Sequence, residues 1–300
     1  MKHVFIVIVN WNGKKDTIAC LASIKAMRKT DAVVDTIVVD NGSTNDSVFA
    51  IKTAHPWARI IKLSDNLGFT GGNNVGIREA LLRGADYVWL LNNDTIVDLN
   101  ALTILNAFED ESVGVVGSKI YFQAGHEYHK ERYTKKEQGR VFWYAGGIVD
   151  WDNMYASHNG VDEVDHGQYD KAGDTPFVTG CSFMISKEVI KKVGLLDEKY
   201  YLYLEDLDYC LAVKRFGFNL RYFPSSIIWH VNAGSSGGSG SKLHEYYMTR
   251  NRLLVGMRFA PFKTKFALIR EAVRFLASGS AIKKRAVLDA LFGKWGKRYE

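Results

Sequence analysis

Strand-like and helix-like patterns alternate through the first hundred residues, and this alternation restricts the fold more than any other feature of the chain. "VFIVIVN" at 4–10 is a continuous apolar run rich in β-branched residues, which is typical of a strand covered on both faces. A helical pattern follows, strand patterns return at 35–43, 58–66 and 86–94, and residues 71–84 form a glycine-rich entry into another helix. Such βαβ units predict an α/β fold with a mostly parallel central sheet flanked by helices.

Small polar or acidic residues stand at the ends of these four strands. They are Asn10, Asp40, Asn66 and the run Asn92, Asn93, Asp94. The carboxyl ends of parallel strands meet at one edge of a sheet, where ligands bind, so we expect these side chains to line a common site. Asn and Asp also favour turns for backbone reasons alone, so each residue taken singly has an ordinary structural interpretation.

The segment "YLYLEDLDYCLAVKRFG" at 201–217 places three acids at the start of a predicted helix. Acids in a first turn favour the helix dipole, so Glu205, Asp206 and Asp208 have a structural interpretation. The alternative is that burial behind the apolar and aromatic run raises the pKa of one carboxylate and suits it to act as a general base. Residues 205 and 206 point about 100° apart on a helix, so they cannot share that role.

Composition argues against several other classes of protein. Three widely separated cysteines form no CxxC pair, which fits a reducing cytoplasmic compartment and neither a disulfide framework nor a zinc cluster. No stretch reaches the roughly 20 apolar residues that a membrane span requires. The glycine-rich loop at 65–76 matches neither a Walker loop nor a dinucleotide-binding fingerprint.

The net charge of +6 belongs to the end of the chain. Residues 242–300 hold fourteen basic and four acidic residues, a net +10, which leaves −4 for residues 1–241. We predict a main domain at 1–241 and a basic, amphipathic helical extension at 242–300. Its apolar stripes, for example Phe266, Ile269 and Val273, either pack on the body or lie on an anionic membrane. The cations accompany no nucleic-acid-binding module, so no nucleic-acid partner is expected.

Five groups of residues occur in an order and spacing that resemble family 2 glycosyltransferases, most closely a bacterial rhamnosyltransferase-like branch. They span about residues 4–240 and are "IVIVNWNG", "TIVVDNGSTNDS", "NLGFTGGNNVGIREAL" with "YVWLLNNDT", "FVTGCSFMISKEVIKKVGLLDE" with "YYLYLEDLDYCLAVKRFGF", and "WHVNAGSSG". The resemblance implies a GT-A fold and the transfer of a sugar, with inversion, from a nucleotide diphosphate. It also implies a divalent metal, Mg²⁺ or Mn²⁺.

The resemblance assigns roles to individual residues. It implies that Asp94 and His230 hold the metal, and that Asp206 is the base while Asp208 is structural. The implied nucleotide-sugar site consists of Asn10, Trp11, Asp40, Asn66, Gly68, Asn73, Asn74, Asn92, Asn93 and Arg250, and the acceptor side of Gly180, Cys181 and Glu205. In the first group Asp40 would recognise the nucleobase and Arg250 would assist the leaving diphosphate. Asn92 departs from the family's Asp-x-Asp pattern, which leaves metal binding to Asp94.

We therefore expect an enzyme that moves rhamnose or a hexose from a dTDP- or UDP-sugar to a hydroxyl of a glycan or lipid-linked acceptor in cell-surface polysaccharide synthesis. It would work in the cytoplasm, peripherally on the inner face of the cell membrane. Two alternatives are a sugar nucleotidyltransferase, which would want a more basic phosphate loop than "NWNGKKD", and a non-catalytic basic scaffold. The glycine- and serine-rich run after His230 would serve as a connector or as a lid.

Overall fold

The computed structural model describes residues 1–28, 30–231 and 240–298. Most of the run that we interpret as a connector or lid, residues 232–239, lies outside the described residues.

The first half of the chain folds into alternating strands and helices, as expected. They are β1 (His3–Asn10), α1 (Lys14–Ala26), β2 (Val33–Asp40), α2 (Ser47–Ala54), β3 (Arg59–Lys62), α3 (Gly68–Leu82) and β4 (Tyr87–Leu91). The four strands are parallel in the order β3-β2-β1-β4, which brings their carboxyl ends to one edge of the sheet.

The continuous apolar run of β1 is buried on both faces of the sheet. Ile6 and Ile8 belong to a core cluster that includes residues of α1, whereas Phe5 and Val7 belong to a second cluster that includes residues of α3. Gly76 allows the close approach of α3, because a Cβ at that position would lie 2.2 Å from Cγ1 of Val7. An alternating strand pattern is absent since neither face meets solvent.

The second half of the sheet is mixed. Its strands are β5 (Thr95–Val97), β6 (Val113–Phe122), β7 (Phe142–Tyr144), β10 (Gly173–Asp174), β11 (Ser182–Ser186) and β12 (Asn219–His230), and a separate hairpin consists of β8 (Gly147–Asp150) and β9 (Tyr155–His158). Strand β11 runs antiparallel between β4 and β6, and β12 pairs parallel with β6. Strand β12 therefore runs in the same direction as β4, and its last residue reaches the same edge. Two 3-10 segments, Ala101–Glu109 and Lys130–Arg132, and the helices α4 (Lys187–Val193) and α5 (Glu205–Arg215) complete this half.

The region after residue 241 is helical, as expected, and consists of α6 (Lys242–Phe259), α7 (Phe262–Ser278) and α8 (Ala281–Leu291). Helix α6 is packed into the body along much of its length, whereas α7 buries only Thr264, Leu268 and Ala272. None of the helices in the described ranges is both long and apolar enough to cross a bilayer. The boundary at residue 241 stays a prediction.

Candidate active site

The ends of β1 and β2 hold two of the predicted residues side by side. Asn10 and Asp40 are register partners, and Nδ2 of Asn10 donates to Oδ2 of Asp40 at 2.8 Å. Oδ1 of Asp40 also accepts from the backbone N–H of Ser43 at 3.2 Å, and Asn10 and Asp40 are both buried. The carboxylate is therefore fixed in orientation at the edge of the sheet. Trp11, which follows Asn10, is 44% exposed.

The glycine-rich loop is attached to this edge by a residue that the sequence analysis did not single out. Nδ2 of Asn41 donates to Oδ1 of Asn66 at 3.0 Å and to the carbonyl of Gly68 at 2.9 Å, and its Oδ1 accepts from the N–H of Leu67 at 3.0 Å. Gly68 has a φ of +73°, and a Cβ there would lie 2.3 Å from the ring of Tyr201. Asn41 directly follows Asp40, the last residue of β2.

Asn73 and Asn74 were expected to line the nucleotide site, and that role stays a prediction. Both side chains are buried in α3, where Nδ2 of Asn73 donates to the carbonyl of Phe69 at 2.9 Å. Asn74 donates to the carbonyl of Leu196 and to the carboxylate of Glu198, and it accepts from the N–H of Leu196. These amides hold backbone segments in place, so we assign both residues to support of the site.

The end of β4 leads to a carboxylate–imidazole pair. Oδ1 of Asp94 lies 3.1 Å from Nε2 of His230, and the two side chains are 14% and 6% exposed. Strand β5 pairs antiparallel with β12 with Thr95 opposite His230, which brings the preceding residue, Asp94, close to the imidazole. Asn93 donates to Oγ1 of Thr17 at 3.0 Å, and the N–H of Asn92 donates to the carbonyl of Cys181.

The Asp94–His230 pair fits a divalent cation. Nε2 of His230 and Oδ1 of Asp94 face each other at 3.1 Å, a separation at which both atoms can bind one cation. A carboxylate oxygen and an imidazole nitrogen are ligands that Mn²⁺ accepts, and Mg²⁺ is commonly held by one or two carboxylates together with water and substrate phosphates. No group of three or more His, Cys, Asp and Glu side chains suited to a metal occurs within the described ranges. The remaining ligands would therefore come from water and a bound diphosphate.

The three acids at the start of α5 have different surroundings. Asp206 is half-buried, and its carboxylate accepts from the N–H groups of Gly180 at 2.9 Å and Leu207 at 2.8 Å. Burial raises the pKa of Asp206 above its usual value, while the two N–H groups act in the opposite direction. Asp206 thus combines a raised pKa with an accessible carboxylate, as a general base requires.

Glu205 and Asp208 are both buried, at 6% and 3% exposure. Oε2 of Glu205 has no hydrogen-bond partner among the described residues. Burial, reinforced by the neighbouring Asp206 charge, holds the pKa of Glu205 well above its usual value. Asp208 accepts from the hydroxyl of Tyr200 at 2.8 Å and from Nη1 of Arg258 at 2.8 Å and 3.0 Å. Asp208 is thus part of a structural ion pair.

The turn at Gly180 and Cys181 connects the two sides of the site. The N–H of Gly180 holds the carboxylate of Asp206, and the carbonyl of Cys181 accepts from the N–H of Asn92. A Cβ on Gly180 would lie 3.1 Å from the ring of Phe69, so a larger residue would require that ring to shift by a few tenths of an ångström. The backbone of this turn fixes the start of α5 relative to the end of β4.

Arg250 was expected to assist the leaving diphosphate, and the structure shows a different arrangement. Its guanidinium is fully buried and donates to the carbonyls of Lys199, Tyr200 and Gly296. The adjacent Asn251, which the sequence analysis did not select, donates to the carbonyls of Tyr200, Leu202 and Tyr203. With Asn251, Arg250 supports the loop that precedes the three acids, and its role at the diphosphate stays a prediction.

A family comparison agrees with this arrangement of strand ends and acids. Residues 2–256 match the model of the family described as "Glycosyltransferase like family 2". The chain belongs to this family. The match confirms the family that the motifs suggested, and it extends into α6.

Two curated members of this glycosyltransferase family are similar to the chain at low identity. "Low-salt glycan biosynthesis hexosyltransferase Agl10" of Haloferax volcanii is 24% identical over 217 residues, which cover 72% of this chain and 62% of that protein. "dTDP-rhamnosyl transferase RfbF" of Shigella flexneri is 23% identical over 267 residues, which cover 84% of this chain and 79% of that protein. The chain therefore spans just under two thirds of the first relative and about four fifths of the second.

Solved glycosyltransferase structures share the fold. A crystal structure of GalNAc-T7 with UDP, GalNAc and Mn²⁺ has a TM-score of 0.70 at 15% identity and covers 99% of this chain and 55% of that one. The mannosyltransferase PcManGT from Pyrobaculum calidifontis, in complex with GDP-Man and Mn²⁺, has a TM-score of 0.58 at 15% identity and covers 97% of this chain and 74% of that one. These neighbours confirm the expected GT-A fold.

Proposed function

We propose that this chain is an inverting glycosyltransferase that moves a sugar from a dTDP- or UDP-sugar to a hydroxyl of a glycan or lipid-linked acceptor. Rhamnose and a hexose are the favoured sugars, since a dTDP-rhamnosyl transferase and a hexosyltransferase are among its relatives. Synthesis of a cell-surface polysaccharide is the proposed setting. The observation that carries the proposal is that one acid at the start of α5, Asp206, remains partly exposed while its two acidic neighbours are buried.

The proposed reaction is a single displacement at the anomeric carbon. Asp206 accepts the proton of the acceptor hydroxyl as its oxygen forms a bond to that carbon. The bond from the carbon to the diphosphate oxygen breaks on the opposite face, and the nucleoside diphosphate leaves with the electron pair. One base suffices for this inversion, which agrees with the presence of one accessible acid in this segment.

Asp94 and His230 would hold a divalent cation, Mg²⁺ or Mn²⁺, which when bound offsets the negative charge of the leaving diphosphate. Asp40, fixed at the end of β2, is proposed to recognise the nucleobase, together with Asn10, its hydrogen-bonding partner on β1, and Trp11, which follows Asn10. The loop that contains Asn66 and Gly68 and the residues Asn92 and Asn93 would complete the donor site. Gly180, Cys181 and Glu205 would shape the acceptor side.

The first experiment tests the donor and metal site. Isothermal titration calorimetry with UDP and with dTDP, each with and without Mn²⁺, should show metal-dependent binding to the intact chain. Asp94→Ala should abolish the metal-dependent part, and His230→Ala should weaken it less, because a carboxylate contributes charge as well as a ligand atom. Asp31→Ala, which removes an exposed acid elsewhere, is the matched control. Unchanged Mn²⁺-dependent affinity in Asp94→Ala would refute this metal site.

The products of donor turnover distinguish the alternatives. Incubation with a nucleotide sugar should release nucleoside diphosphate, slowly without an acceptor and faster with one. Release of pyrophosphate from a sugar phosphate and a nucleoside triphosphate would instead indicate a nucleotidyltransferase.

We also propose that the enzyme works peripherally on the inner face of the cell membrane, where a lipid-linked acceptor would lie near the +10 charge of residues 242–300.

A further inference from the structure

Helix α7 presents large apolar side chains to solvent along one side. Phe262 is 79% exposed, Phe266 66%, Ile269 48% and Val273 61%. Their spacing of four, three and four residues places them on one face of a helix, which we call the α7 stripe. Exposed apolar residues that occur singly are ordinary, but a continuous stripe of this kind marks an interaction surface.

The α7 stripe is not the face that attaches the helix to the body. The buried residues of α7 are Thr264, Leu268 and Ala272, which at about 100° per residue lie on the other side of the helix. Oγ1 of Thr264 donates to the carbonyl of Trp151 at 2.8 Å, and Leu268 belongs to the core cluster that contains Phe5 and Val7. The α7 stripe is therefore separate from the face by which α7 packs on the body.

Basic side chains border the α7 stripe on both sides. Successive turns of about 100° place Lys263, Arg270 and Arg274 along one border and Lys265 along the other. Glu271 is the one acid in the sequence of α7, and it pairs with Arg252 of α6 and lies 3.6 Å from Arg274. The charge around the stripe is therefore positive.

We propose that the α7 stripe inserts into the interfacial region of an anionic lipid bilayer, with the bordering cations at the headgroups. A membrane of anionic lipid offers apolar depth for the phenylalanines and negative charge for the cations at the same time. A second copy of this chain is a poorer occupant, because antiparallel pairing of two stripes would bring their basic borders together. This inference deepens the proposed function and rests on it for the lipid-linked acceptor.

Vesicle sedimentation tests the α7 stripe. The intact chain should sediment with vesicles of equal parts phosphatidylglycerol and phosphatidylcholine, bind pure phosphatidylcholine far less, and be released by high salt. The double variant Phe262→Ser and Phe266→Ser should need at least about tenfold more anionic lipid for half-maximal binding. The matched control is Phe49→Ser with Leu82→Ser, which removes two side chains that are 74% and 84% exposed on other helices, and it should bind like the intact chain.

Three results would overturn the inference. They are no binding of the intact chain to anionic vesicles at low salt, equal binding by both double variants, and gel filtration that shows a dimer which only the α7 double variant disrupts. Nucleotide binding by calorimetry separates this from the proposed function. If the intact chain binds nucleotide but not vesicles, only the membrane role of the α7 stripe is refuted. If the intact chain does not bind nucleotide, the proposed donor site is contradicted.

Discussion

Asp206 and Asp208 are two residues apart in one helix, yet their surroundings suit Asp206 to act as a base and Asp208 to form a structural ion pair. Asp206 accepts only backbone N–H groups and remains half-buried, whereas Asp208 is tied to Tyr200 and Arg258. A base has to accept a proton in the transition state, and a carboxylate in a bidentate ion pair is poorly placed to do so. The difference predicts opposite consequences for the same substitution at the two positions.

Asp206→Asn should lower the rate of sugar transfer by about 10²–10⁴-fold, because the amide cannot accept the proton. Nucleotide binding by calorimetry should be retained, since Asp206 acts on the acceptor. Asp208→Asn is the matched control: it should lower the melting temperature through loss of charge opposite Arg258, with a much smaller effect on rate. A normal transfer rate in Asp206→Asn, together with a large loss of rate in Asp208→Asn, would show that Asp208 and not Asp206 is the base.

Glu205 makes stability depend on pH in a direction that can be tested. Its pKa is raised in the folded protein by burial and by the Asp206 charge, so the folded state holds the proton more tightly than the unfolded state. The intact chain therefore loses stability as pH rises from 4.5, the usual pKa of a glutamate, through the raised pKa of Glu205. Glu205→Gln cannot ionise, so it should be more stable than the intact chain at pH 8.

Urea denaturation at pH 5 and pH 8 measures this difference. The advantage of Glu205→Gln in the free energy of unfolding should be larger at pH 8 than at pH 5, while Glu131→Gln, at an exposed position, should show no such trend. An advantage that is equal at both pH values would show that Glu205 is not held in its protonated form.

At the scale of elements, α6 supports the loop that leads into α5. Tyr201, Tyr203 and Leu204 have φ values of +64°, +69° and +67°, a conformation that non-glycine residues adopt at a cost. Nδ2 of Asn251 donates to three carbonyls of this loop at 2.8–3.0 Å. The buried guanidinium of Arg250 donates to the carbonyl of Lys199 and shares that of Tyr200 with Asn251. The position of Asp206 therefore depends on a helix some forty residues further along the chain.

Asn251→Ala should destabilise the fold by about 1–3 kcal/mol, because buried carbonyls lose their donor. It should also lower the transfer rate while the affinity for UDP or dTDP with Mn²⁺ stays near normal, since the loop carries the base. Asn219→Ala removes an exposed hydrogen bond from the side-chain amide of Asn219 to the hydroxyl of Ser112, and it serves as a comparison for general loss of stability. If Asn251→Ala lost stability but kept its full rate, α6 would have no part in positioning the base.

For the whole molecule, binding of the correct donor nucleotide should raise the melting temperature. A ligand that binds only the folded state at 100 times its Kd adds about 2.7 kcal/mol to the free energy of unfolding. Thermal scans with dTDP, UDP and GDP, each with Mn²⁺ or Mg²⁺, should therefore identify the preferred nucleobase and metal. The shift should disappear in Asp94→Ala and persist in Asp206→Asn, and an equal shift in Asp94→Ala would contradict the proposed metal site.

The sequence by itself determined the α/β class, the family and the elements that hold the candidate site. These features follow from patterns within short stretches of sequence or from motifs that occur in a set order along the chain. The unbroken apolar run of β1 specifies a strand buried on both faces, and the polar residues Asp40 and Asp94 follow directly from strand ends. Parallel pairing then brings those ends together without further information.

Only the tertiary structure decided which partner each polar group meets and which face of each helix is buried. Arg250 and Asn74 are residue types that are common in binding sites. Their side chains nevertheless donate to carbonyls and to one carboxylate from distant segments of the chain. The stripes of α7 illustrate the same limit, because Phe266, Leu268 and Ile269 are all apolar and only Leu268 packs on the body. Hydrophobic periodicity fixes that a helix forms, but contacts between segments far apart in the chain select the side that is buried.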